Sequence, residues 1–263
     1  MLPDAMSSRR TSGISRTNKM ENSVNFKKLR KIAGNAIVKY GMISSGDRIL
    51  CGLSGGKDSF VLVELLHQLR KAAPVDFDIV CVTFDPGFPE FNASDTCAFC
   101  KERNWEHHVI KMQIADIIDE KDFDHAPCVM CSRLRRGKLY GFAREMNCGK
   151  LALGHHLDDI IISFIMSLCR GQGVTTMAPV VPPKTADKPC IIRPLALAPE
   201  SLICQCAAEM ELPRAGICRY KEQLEAGDRK YFAETIAEWE KRIPNLRSNI
   251  ARSLQNPQWE HLL

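Results

Sequence analysis

Long apolar runs are missing from this chain of 263 residues: none approaches the roughly 18–20 that a helical membrane span requires. The expectation is therefore a soluble protein with no membrane partner. The first 25 residues, rich in Ser, Arg and Asn, lack the apolar core of a secretory signal. They read as a disordered basic tail on a cytoplasmic protein. No internal repeat is visible, and two common nucleotide patterns are absent. A Walker loop places four residues between its glycines and then Lys and Ser or Thr. Here Gly52 and Gly56 enclose three residues, and Lys57 precedes Asp58. The dinucleotide pattern G-x-G-x-x-G fails as well. Cysteine, by contrast, is abundant at twelve residues, which without an export signal points to metal or redox chemistry rather than disulfides.

The composition, 45% hydrophobic and 25% charged, is that of an ordinary globular protein, large enough for one domain with appendages. Charge is unevenly placed. Residues 1–31 hold eight Lys or Arg against Asp4 and Glu21, a sum of +6, so with a total of +5 the remaining 232 residues sum to −1. Lys27, Lys28, Arg30 and Lys31 fall on an expected helix whose apolar positions are Phe26, Leu29, Ile32 and Ile37. Such a helix binds nucleic-acid phosphate by counterion release or is a solvated face. Charge alone leaves both open.

Hydrophobic patterning predicts strands over 47–54, 77–85, 107–112, 150–154 and 190–195. Helices are predicted over 60–73, near 94–105, from about 130 to 146 and over 157–170. The stretch 171–189 reads as a loop, and the chain beyond 195 as helical. Strands alternating with helices predict an α/β fold, a parallel sheet with helices on both faces and a helical C-terminal part. Ligands in such folds bind beyond the carboxyl ends of the strands, where Ser54, Asp85 and Gly154 would lie. The expected division is a tail over 1–24, a basic helix over 25–45, a nucleotide-binding domain over 46–200 and a helical region over 201–263.

Between the first strand and its helix stands SGGKDS, residues 54–59. Strand, Gly-rich turn and helix aim backbone N–H groups and a positive helix end at one point, which suits a phosphate. A tight turn with no ligand would not explain Ser54, Gly55, Gly56, Lys57, Asp58 and Ser59 in direct succession. The stretch resembles the PP-loop of enzymes that split ATP between its α- and β-phosphates and leave AMP on the substrate. That likeness implies a grip on pyrophosphate, with Asp58 available to a magnesium ion.

Cys128 and Cys131, taken alone, are a zinc half-site, a redox pair, part of an iron–sulfur site or two structural thiols. Arg133, Arg135, Arg136 and Lys138 follow at what reads as a helix start, where cations stabilise thiolates or meet nucleic-acid phosphate. LALGHHLDD, 151–159, brings His155, His156, Asp158 and Asp159 to the same sheet edge, as a site or as a helix cap. Cys97, Cys100, His107 and His108 have zinc-ligand composition. Two adjacent histidines at a strand start point to opposite faces, however, so two buried thiols on one helix face is the better reading. Cys204 and Cys206 are read the same way.

In order and spacing, SGGKDS (54–59), CxxCSRLRRGxLY (128–140) and LGHHxDD (153–159) together resemble the tRNA 2-thiocytidine synthetase family. PGFPE (86–90), RPLA (193–196) and WEKRIPN (239–245) extend the likeness from about Asn25 to the C-terminus. The resemblance implies an adenine-nucleotide hydrolase-like fold, ATP and Mg2+. It also implies an oxygen-sensitive 4Fe–4S cluster and replacement by sulfur of the C2 oxygen of an anticodon-loop cytidine, position 32. Cys128 and Cys131 match the first two cluster ligands. Counting back from Trp239, Cys218 matches the third. Lys221 stands where the family has a further cysteine, which puts any role for a fourth thiol in doubt. Three ligands leave one iron open, which suits sulfide delivery. Ser54–Ser59 and His155 would bind the nucleotide, with Lys57 offsetting charge and Asp58, Asp158 and Asp159 orienting it or its magnesium. Arg135, placed where a related thiouridine-forming enzyme has Lys, would stabilise the transition state or hold tRNA. Implied partners are tRNA, a cysteine desulfurase or other sulfide donor, and a second copy in a homodimer. Two other readings stay open: a PP-loop reaction at a uridine or an amidation without a cluster, and a non-catalytic metal-containing RNA-binding protein.

Overall fold

The structure is a computed structural model that describes residues 20–88, 91–112, 127–213, 227–258 and 260, without the side chains of 127–130 and 132. Six strands form its sheet: β1 (Asp47–Gly52), β2 (Phe77–Asp85), β3 (His107–Lys111), β4 (Lys150–Ala152), β5 (Val180–Val181) and β6 (Cys190–Ile192). Their order is β3-β2-β1-β4-β6-β5. Every pairing is parallel except β5 with β6. The sheet is parallel as expected apart from this edge, and the reading of 171–189 as a loop is corrected, since β5 lies in it. Two residues are too few to carry a period, and Arg193 N–H donating to Pro179 O at 2.9 Å continues the pairing.

The helices are α1 (Val24–Lys39), α2 (Lys57–Ala72), α3 (Ser94–Glu102), α4 (Pro127–Glu145), α5 (Leu157–Cys169), α6 (Glu200–Ala208), α7 (Asp228–Arg242) and α8 (Leu246–Gln255). α1 carries the expected basic stretch. Ser23 caps it by accepting from Phe26 N at 3.2 Å, Phe26 and Leu29 are buried, and Lys27, Lys28 and Lys31 are exposed.

Alternation along β1 divides the core. Ile49 and Cys51 pack with Phe26 and Leu29 of α1, Leu65 of α2 and Leu202 of α6. Leu50 points the other way, into a cluster with Leu139 and Ala143 of α4. Helices thus cover both faces, and β1, buried on each, reads as a continuous apolar run. α5 has a separate partner: Ile161 and Ile165 pack against Ile236 of α7 and Leu246 of α8.

The chain winds outward from β1 through β2 to β3 and then returns to place β4 on the other side of β1. This reversal opens a crevice between the turns that follow β1 and β4, the position where doubly wound sheets bind ligands. Leu65→Ala, at a fully buried position of α2, should cost roughly 2–5 kcal/mol. A lowered urea midpoint with an unchanged far-ultraviolet spectrum is the expected result.

Candidate active site

β1 ends at Gly52, and the chain turns through Ser54, Gly55 and Gly56 into α2. Gly55 has φ of +85°, a conformation that strains residues with a side chain. Ser59 braces the turn from within: its hydroxyl donates to Gly56 O at 2.7 Å and accepts from Ser54 N at 3.3 Å. Ser54 Oγ in turn accepts from Gly56 N at 3.4 Å. The result is a preformed loop with the positive end of α2 at the mouth of the crevice.

Lys57 is partly buried, with Nζ 2.9 Å from Glu200 Oε1 and 3.2 Å from Asp58 Oδ1. Burial disfavours the ammonium, but the hydrogen bond to Glu200 and the charges of Asp58 and Glu200 outweigh it and raise its pKa. That same hydrogen bond draws the Glu200 carboxyl below its ordinary value. Asp58 Oδ1, its ion pair to Lys57 aside, is buried without a hydrogen bond among the described residues.

The opposite wall comes from the turn between β4 and α5. A Cβ on Gly154 would sit 3.2 Å from Asp58 C and O and 3.3 Å from Ser59 N, so this turn rests directly on the first turn of α2. His155 follows it. Arg193 Nε donates to His155 Nδ1 at 3.3 Å. A guanidinium has donors only, so Nδ1 carries the lone pair and the imidazole is the Nε2–H tautomer. Burial, followed by the Arg193 charge, holds the His155 pKa down at about 4.

His156 is buried, and its backbone N–H donates to Asp159 Oδ2 at 3.1 Å, one half of a capping box for α5. Both carboxylates of the Asp pair are engaged. Asp158 Oδ2 accepts from Glu200 N at 2.7 Å and Oδ1 from Arg247 Nε at 3.0 Å. Asp159 Oδ1 accepts from Arg229 Nη2 at 2.5 Å. Of the two alternatives for this motif, the helix cap is the one formed by these contacts.

α4 lies over the same strand ends, since a Cβ on Gly52 would meet Leu139 Cδ2 at 3.7 Å. Cys131, half-buried, packs with Met112, Phe84 and Leu134 beside the carboxyl ends of β2 and β3. Arg133, Arg135, Arg136 and Lys138 are exposed along the helix. After burial, the Arg136 charge is the next cause lowering the pKa of Arg193, so the basic face extends toward the His155 wall. Cys128 stands in the first turn of α4, three residues before Cys131 and hence on one face with it. Its side chain, Cys218 and Lys221 lie outside the described residues.

Among the described residues no three His, Cys, Asp or Glu side chains form a metal-holding group. Cys100 is buried as expected, but Cys97 is only partly buried, which corrects half of that reading. His107 Nε2 lies 2.9 Å from Thr83 Oγ1 and His108 meets the Phe142 ring edge-to-face, so the four form no metal-holding group. Cys206 is buried as expected. Cys204 is exposed, a correction with a simple cause: residues two apart on a helix lie on opposite sides.

A profile of the PP-loop domain matches residues 22–213. The tRNA-cytidine(32) 2-sulfurtransferase of Marinobacter nauticus is 36% identical over 271 residues, covering 99% of this chain and 87% of its own. Its namesake from Pseudomonas entomophila is 38% identical, covering 88% and 84%, and that from Geotalea daltonii 36%, covering 90% and 94%. The chain belongs to the tRNA-cytidine 2-sulfurtransferase family. A solved structure, the U34-tRNA thiolase NcsA from Methanococcus maripaludis with its 4Fe–4S cluster, matches with a TM-score of 0.71 at 23% identity, over 91% of this chain and 80% of that one. That likeness shows a shared fold.

Sequence reasoning on this sulfurtransferase missed Glu200, Arg229 and Arg247 and gave Arg193 no role. Arg193 at least stands in the quoted RPLA motif. The other three lie outside the quoted motifs, between 42 and 89 residues from the aspartates they bond.

His67 is also held at about 4, by burial and then by Arg70 and Lys71, against an ordinary histidine value of 6.5. With His67 and His155 depressed in the folded state, the unfolded chain takes up protons first as the pH falls. Their contribution to stability is complete above about 6.5 and is lost between 6.5 and about 4. Urea midpoints should fall across that window, and His155→Gln should flatten the slope.

Proposed function

We propose that the chain is an ATP-dependent tRNA sulfurtransferase that activates the C2 oxygen of an anticodon-loop cytidine, at position 32, and replaces it with sulfur to give 2-thiocytidine. What supports the reading most is a phosphate-shaped loop beneath an arginine-bearing CxxC helix, in a chain 36–38% identical to enzymes named for this modification.

Ser54–Ser59 and the N–H groups at the start of α2 receive the pyrophosphate of ATP, and Lys57 offsets charge developing on it. Mg2+ is assigned to Asp58, whose buried Oδ1 has no hydrogen bond beyond the ion pair to Lys57 among the described residues. Asp158 and Asp159, which hold Arg247, Arg229 and two backbone N–H groups, keep the nucleotide-facing wall in place. His155, a neutral Nε2–H imidazole, offers a donor to the nucleotide. The cytidine O2 attacks the α-phosphate, pyrophosphate leaves, and the resulting O–AMP group is displaced when sulfur bonds to C2. Arg135 meets tRNA phosphate or the charge of that displacement. The base must leave its stack to enter the crevice, which an unpaired loop permits at little cost.

Cysteines at 128 and 131 of α4, followed in the sequence by four cations, have the composition of an iron–sulfur donor set. A 4Fe–4S cluster held by Cys128, Cys131 and Cys218 would supply the sulfur when bound. A cysteine desulfurase or another sulfide donor is the proposed source, and a cytoplasmic homodimer the proposed working unit. No helix among the described residues is long and apolar enough to cross a membrane.

Mass spectrometry of tRNA nucleosides from a deletion strain tests the reading. Loss of 2-thiocytidine is expected; loss of 2-thiouridine would move the reaction to a uridine, and an unchanged profile would refute sulfur transfer. Anaerobically purified protein should carry about four iron and four sulfide per chain. Cys218→Ala should lose the visible cluster absorption and thiolation together, and retention of both would remove Cys218 as a ligand.

A further inference from the structure

The loop lysine depends on a residue outside every motif. A lysine side chain is long and loses rotamer freedom when fixed. Its ammonium has three N–H donors. On Lys57 one donates to Glu200 at 2.9 Å and another faces Asp58 at 3.2 Å, which leaves the third for an incoming phosphate oxygen. Asp58 is the next residue in the chain and moves with the loop. Glu200 arrives 143 residues later, at the first turn of α6, and ties the ammonium to the body of the fold.

Glu200 is itself held. Its backbone N–H donates to Asp158 Oδ2 at 2.7 Å. Asp158 Oδ1 accepts from Arg247 of α8 at 3.0 Å, and Arg247 reaches Glu240 of α7 at 3.2 Å. A continuous series of charge-assisted contacts therefore runs from the loop through α6 and α5 to the C-terminal helices.

We infer that Glu200 is a positioning residue for the phosphate-binding lysine: it holds the Lys57 ammonium on the α6 side of the loop with one donor free, while Asp158 and Arg247 hold Glu200. Its role in the site is exerted through Lys57. The inference rests on the reading of the loop as an ATP site and adds the residue that preorganises it.

The test is calorimetric binding of Mg-ATP to the full chain and to Glu200→Gln, Lys57→Met and the double variant. Glu200→Gln should weaken ATP binding about tenfold, the consequence of freeing a rotamer-rich side chain. In the Lys57→Met background the same change should alter affinity by less than about twofold, because its effect is exerted through Lys57. Glu200→Asp, which keeps the charge with a shorter reach, should lose less than Glu200→Gln and serves if the latter does not fold. Equal losses in both backgrounds, no loss at all, or tighter binding by Glu200→Gln would each overturn the inference. Failure of the unaltered chain to bind ATP would instead overturn the reading of the loop and remove this inference with it.

Discussion

The contact on which the site depends is the one between two turns. Because strand order reverses at β1, the turn after β1 and the turn after β4 face each other across the same crevice, and backbone meets backbone at Gly154. A side chain there would press on Asp58 and Ser59 and part the two walls. The loop at 54–59, the His155 wall and the Asp pair occupy their places because that gap is closed to within van der Waals distance. Packing of β1 into both core clusters makes the closure rigid.

Charge is distributed in a second pattern. At the floor of the crevice the ionised groups are matched: Lys57 with Asp58 and Glu200, Asp158 with Arg247, Asp159 with Arg229. Groups partly withdrawn from water need such partners, since an unpaired buried charge is costly. On α4 the cations Arg133, Arg135, Arg136 and Lys138 stay exposed. A paired floor suits a preorganised small-ligand site, while an exposed basic roof suits a polyanion that brings its own charge. The C-terminal helices join the floor through Arg229 and Arg247, so residues outside the quoted motifs contribute to the geometry of the loop.

Much of the fold was legible in the sequence because its signals are local. DRILCG and FDIVCVTFD are apolar runs that only a strand buried on both faces tolerates, and both form such strands. The helix after SGGKDS follows from periodicity and from the turn itself. The antiparallel β5 was not legible, since Val180 and Val181 pair through a neighbour rather than through a pattern. The loop residues Ser54–Ser59 and the basic run after Cys131 could be named from spacing. Glu200, Arg229 and Arg247 could not, because an isolated Glu or Arg on a helix has the same local appearance whether it faces solvent or a carboxylate across the fold.

What the sequence by itself determined is the set of elements and the chemical kit: strands and helices in alternation, a phosphate-shaped turn, thiols beside cations, and a His pair before an Asp pair. Each is a property of neighbours along the chain, governed by side-chain period and backbone conformation. Only the tertiary structure decided which groups meet: that Lys57 is held by Glu200, that Arg193 sets the tautomer of His155, and that Asp158 and Asp159 anchor the C-terminal helices. Those partners are separated by 38 to 143 residues. Hydrogen bonds act over about 3 Å, so only the order of the strands, and no pattern in the chain, brings them within reach.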